Sequence, residues 1–201
     1  MNNNKYNAFI DNALHAKATI ITVAGAGGGP GKYGCNGPNS LYRDIALIYP
    51  KYHNVNVIRV IYHSCGILKD AIDDLDYWIQ YAINNGEKNI YLIGWSMGSA
   101  VIIESANHFL EQNVIKGMIF LAGQTAKTKK IENLDNIPKL FIHGKKDNCL
   151  SMRCSYTLNK MAHNTGSVII LENATHGVEN SLSHINIWII SQMTQYVMIT
   201  K

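Results

Sequence analysis

Asn89-Ile90-Tyr91-Leu92-Ile93-Gly94-Trp95-Ser96-Met97-Gly98 is the stretch whose reading decides the fold. Its first five residues make a short apolar run of the kind found in a strand buried on both faces. Met97 to Leu110 then reads as a helix. A serine at such a strand-to-helix turn is held on strained backbone that lifts its hydroxyl clear, and the flanking glycines leave room where side chains would collide. Ser96 is therefore the candidate nucleophile. The plainer alternative is a helix N-cap serine in an ordinary loop. At a helix N-terminus, the Met97 N–H would also be free to donate to a developing oxyanion.

Working outward, five more apolar runs read as strands: Ala18 to Val23, Val55 to Tyr62, Ile115 to Leu121, Lys139 to His143 and Ser167 to Leu171. Pro138 and Gly166 punctuate the last two. Helical periodicity covers Ser40 to Tyr49, Lys69 to Ile83, Met152 to Met161 and Ser183 to Tyr196. Acidic residues from Asp70 to Asp76 suit the positive end of the second of these helices. Alternation at this spacing predicts right-handed crossovers and a doubly wound, mainly parallel six-stranded sheet with helices on both faces. The expectation is one α/β domain over residues 1–201, with residues 1–7 as a flexible polar N-terminus. The connection from Ala122 to Ile137, about sixteen residues, is too short for a cap domain, so no lid is expected.

Composition narrows the possibilities. With 201 residues, 47% hydrophobic and 16% charged, the chain can bury a proper core. No run of 18 apolar residues exists and the first seven residues are polar, so neither a membrane span nor a signal peptide is expected, and a cytoplasmic location is. A net charge of +4 comes from scattered lysines, the pattern of a solvated surface, so no nucleic-acid partner is expected. Cys35, Cys65, Cys149 and Cys154 form no C-x-x-C pair and no zinc-spaced cluster. No metal or organic cofactor is expected.

An alcohol needs a base to become a nucleophile at neutral pH, and the base needs a carboxylate to orient it. His176 follows the last strand in the loop Glu172-Asn173-Ala174-Thr175-His176-Gly177, where the carboxyl ends of the strands gather. Asp147 follows the strand Lys139 to His143 in the turn Gly144-Lys145-Lys146-Asp147, one helix and one strand before His176. The chain order nucleophile, acid, base is thus Ser96, Asp147, His176. His143 reads as structural, Glu172 as a solvated loop charge, and Asp147 has a turn-forming alternative. His63, at the end of a strand, stays open as a second histidine.

The segment Gly25-Ala26-Gly27-Gly28-Gly29-Pro30-Gly31-Lys32 invites a phosphate-binding reading, but a Walker loop would need glycine at Ala26 and Ser or Thr at Tyr33. Gly29 to Gly34 matches G-x-G-x-x-G by letter, yet runs into Cys35-Asn36-Gly37-Pro38, which cannot open a helix. The better reading is a loop that offers a backbone N–H near Ala26 as the second oxyanion donor, facing Met97.

The order strand, glycine loop, G-x-S-x-G, Asp, His resembles the α/β-hydrolase superfamily from Ala18 to Tyr196. The run Gly31 to Tyr62, with Asn36-Gly37-Pro38-Asn39-Ser40-Leu41-Tyr42-Arg43-Asp44-Ile45-Ala46 and Ile58-Arg59-Val60-Ile61-Tyr62, is similar to small dienelactone-hydrolase-like and acyl-hydrolase esterases. That resemblance implies ester or thioester cleavage through an acyl-serine, with Ser96, Asp147 and His176 as the triad and Ala26 and Met97 at the oxyanion hole. The substrate would be a small-molecule or protein-borne acyl compound. Many relatives have His-Gly where this chain has Ala24-Gly25, and a charged turn where it has Tyr62-His63-Ser64-Cys65-Gly66. The extra N-terminal antiparallel strands of larger relatives are missing, unless Lys5 to Ile10 supplies a fragment of one. Two other readings stand beside this one: a non-catalytic interaction module that keeps the fold, and a serine peptidase.

Overall fold

The computed structural model describes residues 5–31 and 33–199, together with the side chains of those up to residue 194. Residues 1–4 of the expected polar N-terminus, and Lys32 of the glycine-rich segment, lie outside the described residues. The elements run β1 Asn7–Asp11, β2 Ala18–Val23, α1 Leu41–Tyr52, β3 Val55–Ile61, α2 Leu68–Asn84, β4 Ile90–Trp95, α3 Gly98–His108, β5 Ile115–Leu121, β6 Lys139–Gly144, α4 Arg153–Met161, β7 Gly166–Leu171 and α5 Leu182–Ile199. Short 3-10 helices occupy Pro38–Ser40 and Lys129–Asn133.

The sheet has seven strands, not six, in the order β1-β3-β2-β4-β5-β6-β7. The addition is β1, which pairs antiparallel with β3 from Asn7 opposite Ile61 to Asp11 opposite Val57. An edge strand has one neighbour and a wet outer rim, so it lacks the unbroken apolar run that marks the interior strands. Phe9 and Ile10 are indeed exposed. Arg59 of β3 ties the edge down: its Nη2 lies 3.2 Å from Asp11 Oδ2, and its guanidinium stacks 4.8 Å from the centre of the Phe9 ring.

All other pairings are parallel. Every residue of β2, β4 and β6 is buried, because apolar layers cover both sheet faces. Leu75 and Ile79 of α2, Val101 and Ile102 of α3 and Leu158 of α4 share one core layer, against Ile58, Val60 and Leu92 of the sheet. Tyr42, Ile45 and Tyr49 of α1 join Ile185 and Ile189 of α5 in the other, against Ile20, Val57 and Ile93.

The chain moves outward from β2 to β3 on one side and then returns to β4 on the other side of β2. Loops leaving the carboxyl ends of β2 and β4 diverge there, which opens a crevice where ligands of open α/β sheets bind. The loop beginning Ala24-Gly25 and the turn containing Ser96 both start at this crevice. Tyr42 and Tyr62 fix the end of β2 by donating their hydroxyls to the carbonyls of Val23 (3.0 Å) and Ala24 (2.8 Å).

Candidate active site

The β4-to-α3 turn is too tight for side chains at its two glycines. A Cβ on Gly94 would stand 2.4 Å from the Gly98 carbonyl oxygen, and one on Gly98 would stand 2.7 Å from that of Ala24. Ser96 takes the left-handed conformation, φ 54°, which disfavours any residue with a side chain. The turn is anchored across the sheet by Ser96 N–H donating to Leu121 O at 2.9 Å. Gly94→Ala should therefore cost about 1–3 kcal/mol, the range for forced overpacking, read as a lowered urea midpoint.

Asp147 and His176 come together. The Asp147 side chain has no solvent exposure, and its Oδ2 accepts the Nδ1–H of His176 at 2.8 Å. Its Oδ1 accepts the backbone N–H groups of Cys149 (2.8 Å) and Leu150 (2.9 Å). Burial pushes the carboxyl up, but these donors (the Leu150 N–H, His176 and the Cys149 N–H) outweigh it and hold the group below the usual carboxylate range. Gly144 lets the two loops meet, since a Cβ there would stand 2.3 Å from the Thr175 carbonyl oxygen.

His176 is held from the backbone as well. Trp95 Nε1–H donates to His176 O at 2.9 Å, and the two rings lie 5.3 Å apart. Trp95 directly precedes Ser96, so this bond sets the histidine loop beside the Ser96 turn. Glu179 accepts from the Thr175 backbone N–H and hydroxyl, and Asn39 donates to both Gly177 O and Glu179. Triad contacts should lie within about 3.2 Å. His176 to Asp147 meets that; a Ser96–His176 hydrogen bond is not among those that the described residues make. Catalytic hydrogen bonds without substrate are commonly long and tighten only in the reacting complex.

Of the expected oxyanion donors, Met97 is buried at the head of α3 and Ala26 is exposed at the crevice. Between them Gly25 touches the turn: a Cβ on it would come 3.2 Å from that of Ser96.

The remaining histidines separate clearly. His63 faces two carboxylates of α2, with Nδ1 2.7 Å from Asp74 and Nε2 3.3 Å from Asp70, so neither ring nitrogen is left over. Glu172 pairs with Lys145 at the surface. His143, read from sequence as structural, lies at the site: its Nε2 is 3.1 Å from Asp147 Oδ2, and both side chains are wholly buried. Trp95 and His143 are two residues in contact with this pair whose position the sequence does not reveal. Among the described residues no group of three or more His, Cys, Asp or Glu side chains is placed to hold a metal ion.

The profile of the phospholipase/carboxylesterase family matches residues 63–197, a span that includes Ser96, Asp147 and His176. The chain belongs to this α/β-hydrolase family. Solved α/β-hydrolases share its fold. Est1E from Butyrivibrio proteoclasticus is 15% identical over 94% of this chain and 95% of its own, with a TM-score of 0.72. A dienelactone hydrolase from Anabaena variabilis is 12% identical over 94% and 89%, TM-score 0.69. A serine hydrolase without a lid from Xanthomonas campestris is 14% identical over 95% and 89%, TM-score 0.66. No curated protein sequence matches significantly. The β5-to-β6 connection of this phospholipase/carboxylesterase-family chain adds only the short helix Lys129–Asn133. Among the described residues, no helix is long and apolar enough to cross a membrane.

The same groups make stability pH-dependent. Burial holds His143 below its ordinary 6.5, against the opposing pull of the Leu150 carbonyl and Asp147, and Asp147 lies below its ordinary 3.8. For both, the unfolded chain binds more protons than the native state, so stability is present above the unfolded value and lost as pH falls through the folded one. Urea midpoints should thus decline from about pH 6.5 downward, first as His143 is forced to charge and then, below about pH 4, as Asp147 is protonated.

Proposed function

We propose that this chain is a serine hydrolase that cleaves a carboxylic ester or thioester through an acyl-serine on Ser96. The observation that carries this reading is the 2.8 Å bond from His176 Nδ1–H to buried Asp147, on a loop that Trp95 fastens beside Ser96. A histidine that donates from Nδ1 keeps the lone pair of Nε2 for a serine proton.

In this mechanism Ser96 Oγ bonds to the acyl carbon while its proton passes to His176 Nε2. The resulting imidazolium is stabilised by Asp147, and the oxyanion by the N–H groups of Met97 and Ala26. Collapse of the tetrahedral species breaks the bond to the leaving oxygen or sulfur, which takes the proton from His176. Water, activated by the same histidine, then releases the acid and restores Ser96. No step needs a metal or organic cofactor. The open crevice suits short or protein-borne acyl groups. Four unpaired cysteines fit a reducing cytoplasm.

The test pairs a fluorophosphonate probe with p-nitrophenyl acetate. Wild type should label and turn over, while Ser96→Ala should do neither. A well-folded wild type that does neither overturns the enzyme reading. Faster cleavage of a nitroanilide than of its matching ester would make the protein a peptidase instead.

A further inference from the structure

His143 sits where the acid of the triad is held from behind. Its two ring nitrogens have different partners: Nδ1 lies 2.9 Å from Ser155 Oγ, and Nε2 lies 3.0 Å from Leu150 O and 3.1 Å from Asp147 Oδ2. A carbonyl and a carboxylate can only accept, so Nε2 carries the hydrogen and Nδ1 accepts from the Ser155 hydroxyl. That assignment gives the N–H to the Leu150 carbonyl and leaves the electropositive, protonated ring nitrogen 3.1 Å from the same oxygen that accepts His176 Nδ1–H. It also completes a closed turn: Leu150 gives its N–H to Asp147 Oδ1 and takes the His143 N–H on its carbonyl. Asp147 Oδ1 is thus held by two peptide N–H groups, and Oδ2 lies between the rings of His176 and His143.

We propose that His143 is a positioning residue for the Asp147–His176 pair, fixing the direction of the carboxylate and drawing off part of its negative charge. This rests on the serine-hydrolase reading of the site. The charged and titratable groups facing the cluster are Asp147, His176 and the Cys154 thiol of α4. Burial, and then the Asp147 charge, pushes that thiol up. Lys145 and Lys146 turn outward to Glu172 and Asn173. A neutral His143 therefore acts as a fixed dipole across the working range.

If His143 is removed, the carboxylate becomes a stronger acceptor and freer to rotate. Two consequences separate this role from mere filling of space. His143→Leu should lower kcat about tenfold, with KM nearly unchanged, and move the acid limb of the pH–rate profile upward. His143→Gln, which restores an N–H near the position of Nε2, should recover most of the rate and return the acid limb. In apo protein, the downfield proton resonance of His176 Nδ1–H should move further downfield in His143→Leu and stay near the wild-type position in His143→Gln. Should His143→Leu not fold, Ser155→Ala, which releases the Nδ1 side, is expected to move the resonance in the same direction by less. A resonance and acid limb that stay put in folded His143→Leu, or in Ser155→Ala in its place, overturn the proposal. The resonance is read without substrate, so this failure is distinct from that of the function itself, which appears as loss of probe labelling in wild type.

Discussion

Ser96→Ala is expected to reduce ester turnover by about 10⁴-fold or more and to abolish fluorophosphonate labelling, because the proposed mechanism takes its nucleophilic oxygen from Ser96. Its stability should hardly change, since alanine is as strained as serine at φ 54°. Ser96→Gly is the informative companion. Glycine occupies the left-handed region freely, so this variant should be equally inactive yet more stable than wild type by about 1 kcal/mol. Urea denaturation of the three proteins tests the point directly. An unchanged or lowered midpoint for the glycine variant would mean that the turn is not holding strain for the sake of its hydroxyl.

The second large effect is expected at Asp147→Asn, where kcat should fall by about 10⁴-fold. The backbone donors of Cys149 and Leu150 demand an oxygen at the Oδ1 position, so the new amide nitrogen must take the place of Oδ2. There it meets His176, which must switch its hydrogen to Nε2 and can then no longer accept from Ser96. It also stands nitrogen to nitrogen with His143 Nε2, 3.1 Å away, whose hydrogen is given to Leu150 O. That clash should add a stability loss of about 1–3 kcal/mol. Labelling kinetics and urea midpoints measured on one preparation separate the two effects. A labelling rate within tenfold of wild type would remove Asp147 from the mechanism.

How far the sequence spoke for the fold depended on how each strand is covered. β2, β4, β5 and β6 read as apolar runs because helices hide both of their faces. β1 does not, since an edge strand with Phe9 and Ile10 in solvent carries no such run; the sequence points only to a fragment within Lys5 to Ile10. β4 extends past Ile93 through Trp95 because the ladder continues, with Gly94 opposite Phe120 and Trp95 opposite Leu121. Composition assigned these two residues to the turn.

The site divides in a similar way. Asp147 and His176 were legible because each follows a recognisable strand at the same end of a parallel sheet, where topology alone gathers them. Trp95 was not, for its hydrogen bond to His176 O spans 81 positions and depends on how one loop returns over another. His143 was hidden differently. At the end of a buried strand beside Gly144 it looks like any interior histidine. Only the backward fold of the Gly144-to-Leu150 turn delivers Asp147 to its ring.

That turn has a consequence for proton traffic. Asp147 Oδ1 is occupied by two peptide N–H groups, and Oδ2 faces two imidazole nitrogens, with none of its surface open to water. A carboxylate so enclosed has no solvent to hand a proton to, and its donors hold it below the usual carboxylate range. The proton path proposed from Ser96 thus ends at His176. In the proposed mechanism, the proton that leaves the serine waits on that one ring until the leaving group takes it.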